Sequence, residues 1–168
     1  LYERWAEGGV ALSIIGEVQG DPRFPEKPGN LVLVEQSNQK LLNSLVKRGT
    51  IGNTDLWPQI GHAGALSHSP ISQPKGPSPL KIDNFQCAGM SVDEICELPS
   101  MYARTVLRAK NSGFSGVHIH AGHGFLLSQF LSPLFNHRVD GYGGSIAALS
   151  QIIIEVFHAL PLPGGPVL

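Results

Sequence analysis

Three times along this sequence a short apolar run with β character gives way to a segment of helical periodicity. The first run is Gly9-Val-Ala-Leu-Ser-Ile-Ile-Gly-Glu-Val18. It is nearly continuous, so it reads as a strand buried on both faces. An irregular stretch holding Pro22, Pro25 and Pro28 follows. Residues 35–48 then predict a helix with Leu41, Leu42, Leu45 and Val46 on one face. Gly49 stands where a helix C-terminus favours positive φ. Residues 53–60 predict a second strand, weakened by Pro58, because proline in a central strand loses a ladder hydrogen bond.

Residues 61–89 read as a long loop rich in Pro, Ser and Gly, of the kind that forms lids or disordered segments. It ends at Ser91-Val-Asp-Glu94, a capping box opening a helix whose apolar positions run from Val92 to Ala109. Pro99 should kink that helix or restart it, and Asn111-Ser-Gly113 should end it. The third strand is residues 116–121. A Gly-rich polar connection, residues 123–145, leads to a last helix over residues 145–160. Its apolar face runs from Ile146 through Ile152 and Val156 to Leu160. The Pro/Gly-rich tail offers a fourth strand at Pro166-Val-Leu168. Strands alternating with amphipathic helices imply βαβ units and a parallel sheet. Such a sheet is either small and open or part of a barrel, since three or four strands cannot close a (β/α)₈ barrel.

Composition excludes several functions. Twelve Lys+Arg against thirteen Asp+Glu leave a net charge of 12 − 13 = −1, which argues against nucleic acid as partner. No apolar run reaches the ~20 residues of a membrane helix, and no signal peptide is visible. Cys87 and Cys96 have neither a CxxC spacing nor the density of a disulfide framework, so a reducing, cytoplasmic location is expected. The chain begins at Leu1 inside a helical pattern, and the reading is that of a fragment.

The densest chemistry is His118-Ile-His120-Ala-Gly-His123-Gly-Phe125. His118 and His120 are two apart on a strand and share a face, and His123 follows just past its C-terminal end, where α/β folds build their sites. Gln59-Ile-Gly-His62-Ala-Gly64 ends the second strand in the same way. Its glutamine amide can donate to and accept from a heterocycle, whereas His62 and His68 read as loop histidines. In Asn136-His-Arg138-Val-Asp140-Gly-Tyr142-Gly-Gly-Ser145, Arg138 and Asp140 should pair with each other or with backbone groups, and Ser145 should cap the last helix. The phosphate-loop spacings GxGxxG and GxxxxGK[ST] are absent.

The stretch from Gly113 to Ser145, with its HisxHis, Ser-Gln-Phe-Leu-Ser-Pro and AsnxArgxAspxTyr-Gly-Gly-Ser elements, resembles the signature of the Old Yellow Enzyme family. These are FMN-dependent, NAD(P)H-driven ene-reductases on a (β/α)₈ barrel. Residues 59–64 are similar to the family's third-strand motif and residues 10–18 to its second strand. The resemblance implies an incomplete TIM-barrel domain over residues 1–168, holding about strands two to four, with a long loop over residues 61–90. It implies FMN as cofactor, NAD(P)H as reductant and a small electron-poor alkene as substrate. It leaves open whether the chain forms a homo-oligomer. By the same resemblance His120 and His123 polarise the substrate oxygen, Gln59 meets the flavin ring edge and Val18 lies against the ring.

The sequence departs from the family at several places. Phe125 stands where the family's proton-donating Tyr is usual, and His118 where an acidic or amide residue is common. Ala65 replaces the arginine closing the third-strand motif, and Ala147-Ala148-Leu149 replaces Glu-Asn-Arg. Strand one, the basic residue of strand five and the late phosphate-binding loops fall outside the stretch. Two other readings stand beside this one: a metal-dependent hydrolase using the HisxHis pair, and a non-catalytic truncated product.

Overall fold

A computed structural model describes residues 1–161, so the strand expected at 166–168 lies outside the described residues. In chain order the elements are α1 (Tyr2–Glu7), β1 (Leu12–Gln19), β2 (Leu31–Val32), α2 (Gln39–Gly49) and β3 (Asp55–Gly61). Then come β4 (Lys75–Gly76), β5 (Leu80–Ile82), β6 (Phe85–Gly89), α3 (Val92–Asn111), β7 (His118–Ile119), α4 (Leu126–Leu131) and α5 (Ile146–Ala159). Four strands form a parallel sheet in the order β2-β1-β3-β7. The two-residue strand β2 pairs with the end of β1 inside the proline-bearing stretch, which sequence patterning left irregular.

The helices cover one face of this sheet. Ile15, Val18 and Leu56 pack with Leu42 and Val46 of α2, and Ile60 packs with Ile95, Leu98, Tyr102, Ile152 and Val156 of α3 and α5. The other face is open: Leu12 and Ile14 are exposed although both are apolar. Among the described residues β1 is buried on its helix face and exposed on the other. Helices on one face only set this sheet apart from a doubly wound one; in a closed (β/α)₈ barrel the second face is covered by the barrel's other strands.

β1 is also irregular. Its pairing with β3 shifts between Ile15 and Val18, so residues 15 and 18 both face the helices despite their odd spacing. This bulge accounts for Pro58 in a central strand. Pro58 lies opposite Ile15, at the edge of the interruption, and β7 joins β3 only from Gln59 onward. A missing N–H does least harm where the ladders on both sides are interrupted or not yet begun.

The helices begin where capping chemistry directs. Asn38, Ser91 and Ser145 each accept from the backbone N–H three residues on, and Ser91 with Glu94 completes the capping box. The expected start of the second helix at 35 moves to Gln39 for this reason. Leu41 and Ile146 turn out exposed, so the packed stripes of α2 and α5 are narrower than their apolar periodicity suggests. Helix α3 runs through Pro99 unbroken, and Gly113 ends it in the left-handed region.

Gly49 does not act as the expected positive-φ cap. It remains helical, and a Cβ there would come within 2.6 Å of the Leu56 side chain. It is a close-approach glycine between α2 and β3, where overpacking costs about 1–3 kcal/mol.

Two segments expected to be loops carry their own structure. Residues 75–89 contain a small sheet in the order β4-β6-β5, closed by a tight turn in which Asp83 takes φ 49. Residues 126–131 form α4, which buries Leu126, Leu127 and Phe130. Neither is long enough for periodicity to mark it. Arg138 does fix its loop as expected: it forks onto Asp140 and donates to the carbonyls of Pro77 and Met90, both at 2.7 Å.

Candidate active site

The C-terminal ends of β1, β3 and β7 lie side by side, and the residues singled out in the sequence meet there. Gln59 and His118 are register partners, and the Gln59 amide Nε2 is 3.0 Å from His118 Nδ1. His120 continues the strand by donating its backbone N–H to the Ile60 carbonyl at 2.8 Å. Its ring lies 6.1 Å from that of His118, 4.9 Å from that of His123 and 5.3 Å from Phe125. His120 is buried and its Nε2 has no partner. Burial, with His123 and His118 nearby, holds its pKa below the usual histidine range, so the ring is neutral at pH 7 with one N–H to give.

The turn after β7 brings His123 and Phe125 edge-on to the His120 ring. His123 takes φ 56 and Gly124 φ 74, a left-handed pair in which only His123 carries a Cβ penalty. α4 follows at once, with Phe125 as its N-cap residue. Gln129, on α4, is wholly buried and ties the turn to the neighbouring strand end. It accepts from the Ala65 N–H at 3.0 Å and donates to the carbonyls of Ala63 at 3.1 Å and Gly124 at 2.6 Å. Ala65 is completely buried in this cluster.

One sequence assignment changes in three dimensions. The Val18 side chain is wholly buried on the helix side with Leu33 and Leu42, so it does not lie on the open face; only its backbone can border a ligand there. His62 is also buried. Its Nδ1 accepts from the Gly64 N–H, its ring stacks on Phe24, and burial pushes its pKa down to about 4. That leaves His62 a structural histidine. Among the described residues no group of three His, Cys, Asp or Glu side chains is placed to hold a metal ion.

The structure adds one residue that patterning missed. Glu17 reaches across the bulge onto Gly61, where a Cβ would fall 1.5 Å from its Oε1, and both carboxylate oxygens are buried without partners. Burial, with Glu26 adding to it, raises its pKa to about 7. A carboxyl raised in the folded state stabilises the fold most below its unfolded pKa of 4.5. That contribution is lost as pH rises from 4.5 through 7. After allowance for solvent screening the swing is about 1–2 kcal/mol. Glu17→Gln is expected to flatten the fall in stability between pH 5 and 8, read by urea melts at each pH. A variant that keeps the wild-type slope would assign the effect elsewhere.

Residues 2–160 match the family model described as NADH:flavin oxidoreductase / NADH oxidase. The chain is 33% identical to flavin oxidoreductase hxnT of Emericella nidulans over 170 residues, which covers 94% of this chain and 44% of that protein. Among solved structures, a 2-naphthoyl-CoA reductase complex superposes with TM-score 0.87 at 25% identity, over 95% of this chain and 27% of the other. Morphinone reductase in complex with tetrahydroNAD superposes with TM-score 0.84 at 24% identity, over 95% and 50%, a likeness of fold. The chain thus spans half or less of the length of these relatives. Its parallel sheet corresponds to part of their barrels.

Proposed function

The chain belongs to the NADH:flavin oxidoreductase / NADH oxidase family, and from that premise we propose that its site serves the FMN-dependent reduction of electron-poor alkenes or related small acceptors, with NAD(P)H as reductant. The observation that carries this reading is the buried, unpartnered Nε2 of His120 beside His123, one strand away from the Gln59 amide. A buried polar atom without a partner costs free energy unless a ligand satisfies it. The donor set fits the flavin ring edge: Gln59 offers both an amide oxygen and an N–H, and Gly16 opposite it carries no side chain.

When bound, FMN supplies the hydride that these side chains cannot. The chain's own residues bind and polarise. Neutral His120 donates its N–H to a carbonyl or nitro oxygen, favouring the negative charge that develops there, and His123 at 4.9 Å borders the same oxygen. Phe125 holds the ring wall at 5.3 Å but has no proton to give, so protonation of the product carbon falls to another acid or to water. The near-neutral charge suits a small-molecule substrate rather than nucleic acid. Two free cysteines fit a reducing compartment such as the cytoplasm.

Fluorescence titration with FMN, followed by anaerobic addition of NADH or NADPH, tests the reading. Saturable quenching and bleaching of the flavin band by either nicotinamide, reversed by an electron-poor alkene, are expected. A protein that binds FMN but passes no electrons from nicotinamide to alkene would refute the assignment.

A further inference from the structure

We propose that His118 is a positioning residue for Gln59, fixing which way round the Gln59 amide faces a bound heterocycle. This inference rests on the site being a flavin site. An amide side chain is nearly symmetric in shape, so its hydrogen bonds decide where oxygen and nitrogen point. Here the Gln59 Nε2 donates to His118 Nδ1 at 3.0 Å. That bond requires a free lone pair on Nδ1 and therefore places the ring proton on Nε2. Gln59 Oε1 lies over Gly16, 2.7 Å from where a Cβ would sit, so bare backbone leaves room for the oxygen on that side.

One amide N–H is thereby committed to His118, and one N–H and the carbonyl oxygen remain for the ligand. Swapping the amide would present the heterocycle with a different donor and acceptor order. The two residues are register partners on adjacent strands, which gives the pair a rigid base. His118 is exposed on the open face and is not needed to fill the core. Its contact with Gln59 is the only side-chain hydrogen bond found for it among the described residues.

Two variants separate positioning from bulk. His118→Leu removes the acceptor, and His118→Asn keeps one near the place of Nδ1. In the full chain, ¹⁵N NMR without flavin should show a non-protonated Nδ1 on His118 and a protected Gln59 amide proton. The Gln59 amide protection should be lost in His118→Leu and restored in His118→Asn. FMN affinity should fall about five- to tenfold in His118→Leu, the usual worth of one neutral hydrogen bond, and stay within about twofold in His118→Asn. A protonated Nδ1 in the wild type, FMN binding by His118→Leu equal to wild type, or His118→Asn as weak as His118→Leu would each overturn the role. A wild type that shows the amide signature but binds no FMN overturns the flavin reading and this role together. An unchanged affinity in His118→Leu overturns the role alone.

Discussion

Replacing Gln129 with leucine is expected to lower unfolding stability by about 2–4 kcal/mol, because it strands two backbone groups at once, each worth about 1–3 kcal/mol when buried without a partner. Those groups are the Ala65 N–H and the Gly124 carbonyl, whereas the Ala63 carbonyl keeps the Leu66 N–H at 3.0 Å. Leucine nearly matches glutamine in volume, so little of the loss would come from a cavity. In a domain of this size the change corresponds to a melting temperature lower by roughly 5–15 °C. Gln129→Glu should fall between the two, since it keeps the acceptor for Ala65 and loses both donors. Urea denaturation checks the order. Equal stability of all three proteins would mean that water replaces the clamp.

The same clamp should be felt at the site. The Gly124 carbonyl belongs to the left-handed turn that carries His123, and Ala63 and Ala65 follow the strand that carries Gln59. Gln129 therefore couples the two loops that present the polar side chains. Loosening that link by even about 1 Å is enough to reduce the rate of an oriented reaction by ~10²-fold.

Under the proposed function, His120→Ala is expected to reduce kcat/KM for alkene reduction by about a hundred- to a thousandfold in the flavin-loaded protein. That is the usual cost of deleting one donor aimed at a developing oxyanion. Its partnerless Nε2 is the reason to rank it above His123, whose side chain is exposed. His120→Gln returns an N–H near the Nε2 position and should recover part of the loss. Stopped-flow measurement of flavin reoxidation by the alkene reads the effect directly. A rate within threefold of wild type in His120→Ala would remove His120 from the chemistry.

Much of the fold could be read from local pattern. The caps at Ser91 and Ser145 are legible because capping is a contact between residues three apart. The strand ends bearing Gln59 and His120 are legible because β-like runs stop at glycine-rich turns. Short elements were not: β4 and α4 run two and six residues, less than periodicity needs to declare itself.

By itself, the sequence determined the alternation of strands and helices, the parallel pairing and the clustering of histidines at one strand end. Each of these follows from backbone geometry that repeats every two or 3.6 residues. Only the tertiary structure decided that Val18 faces the helices, because one bulge in β1 reverses the parity of every residue beyond it. It also decided that Glu17 lies unpartnered on Gly61, that His118 holds the Gln59 amide, and that Gln129 joins two loops. Those contacts span from 5 to 66 residues of sequence, and for most of them no local rule ties the partners. Packing and register bring them within hydrogen-bond reach, where distance and angle decide whether a polar group is satisfied or left for a ligand.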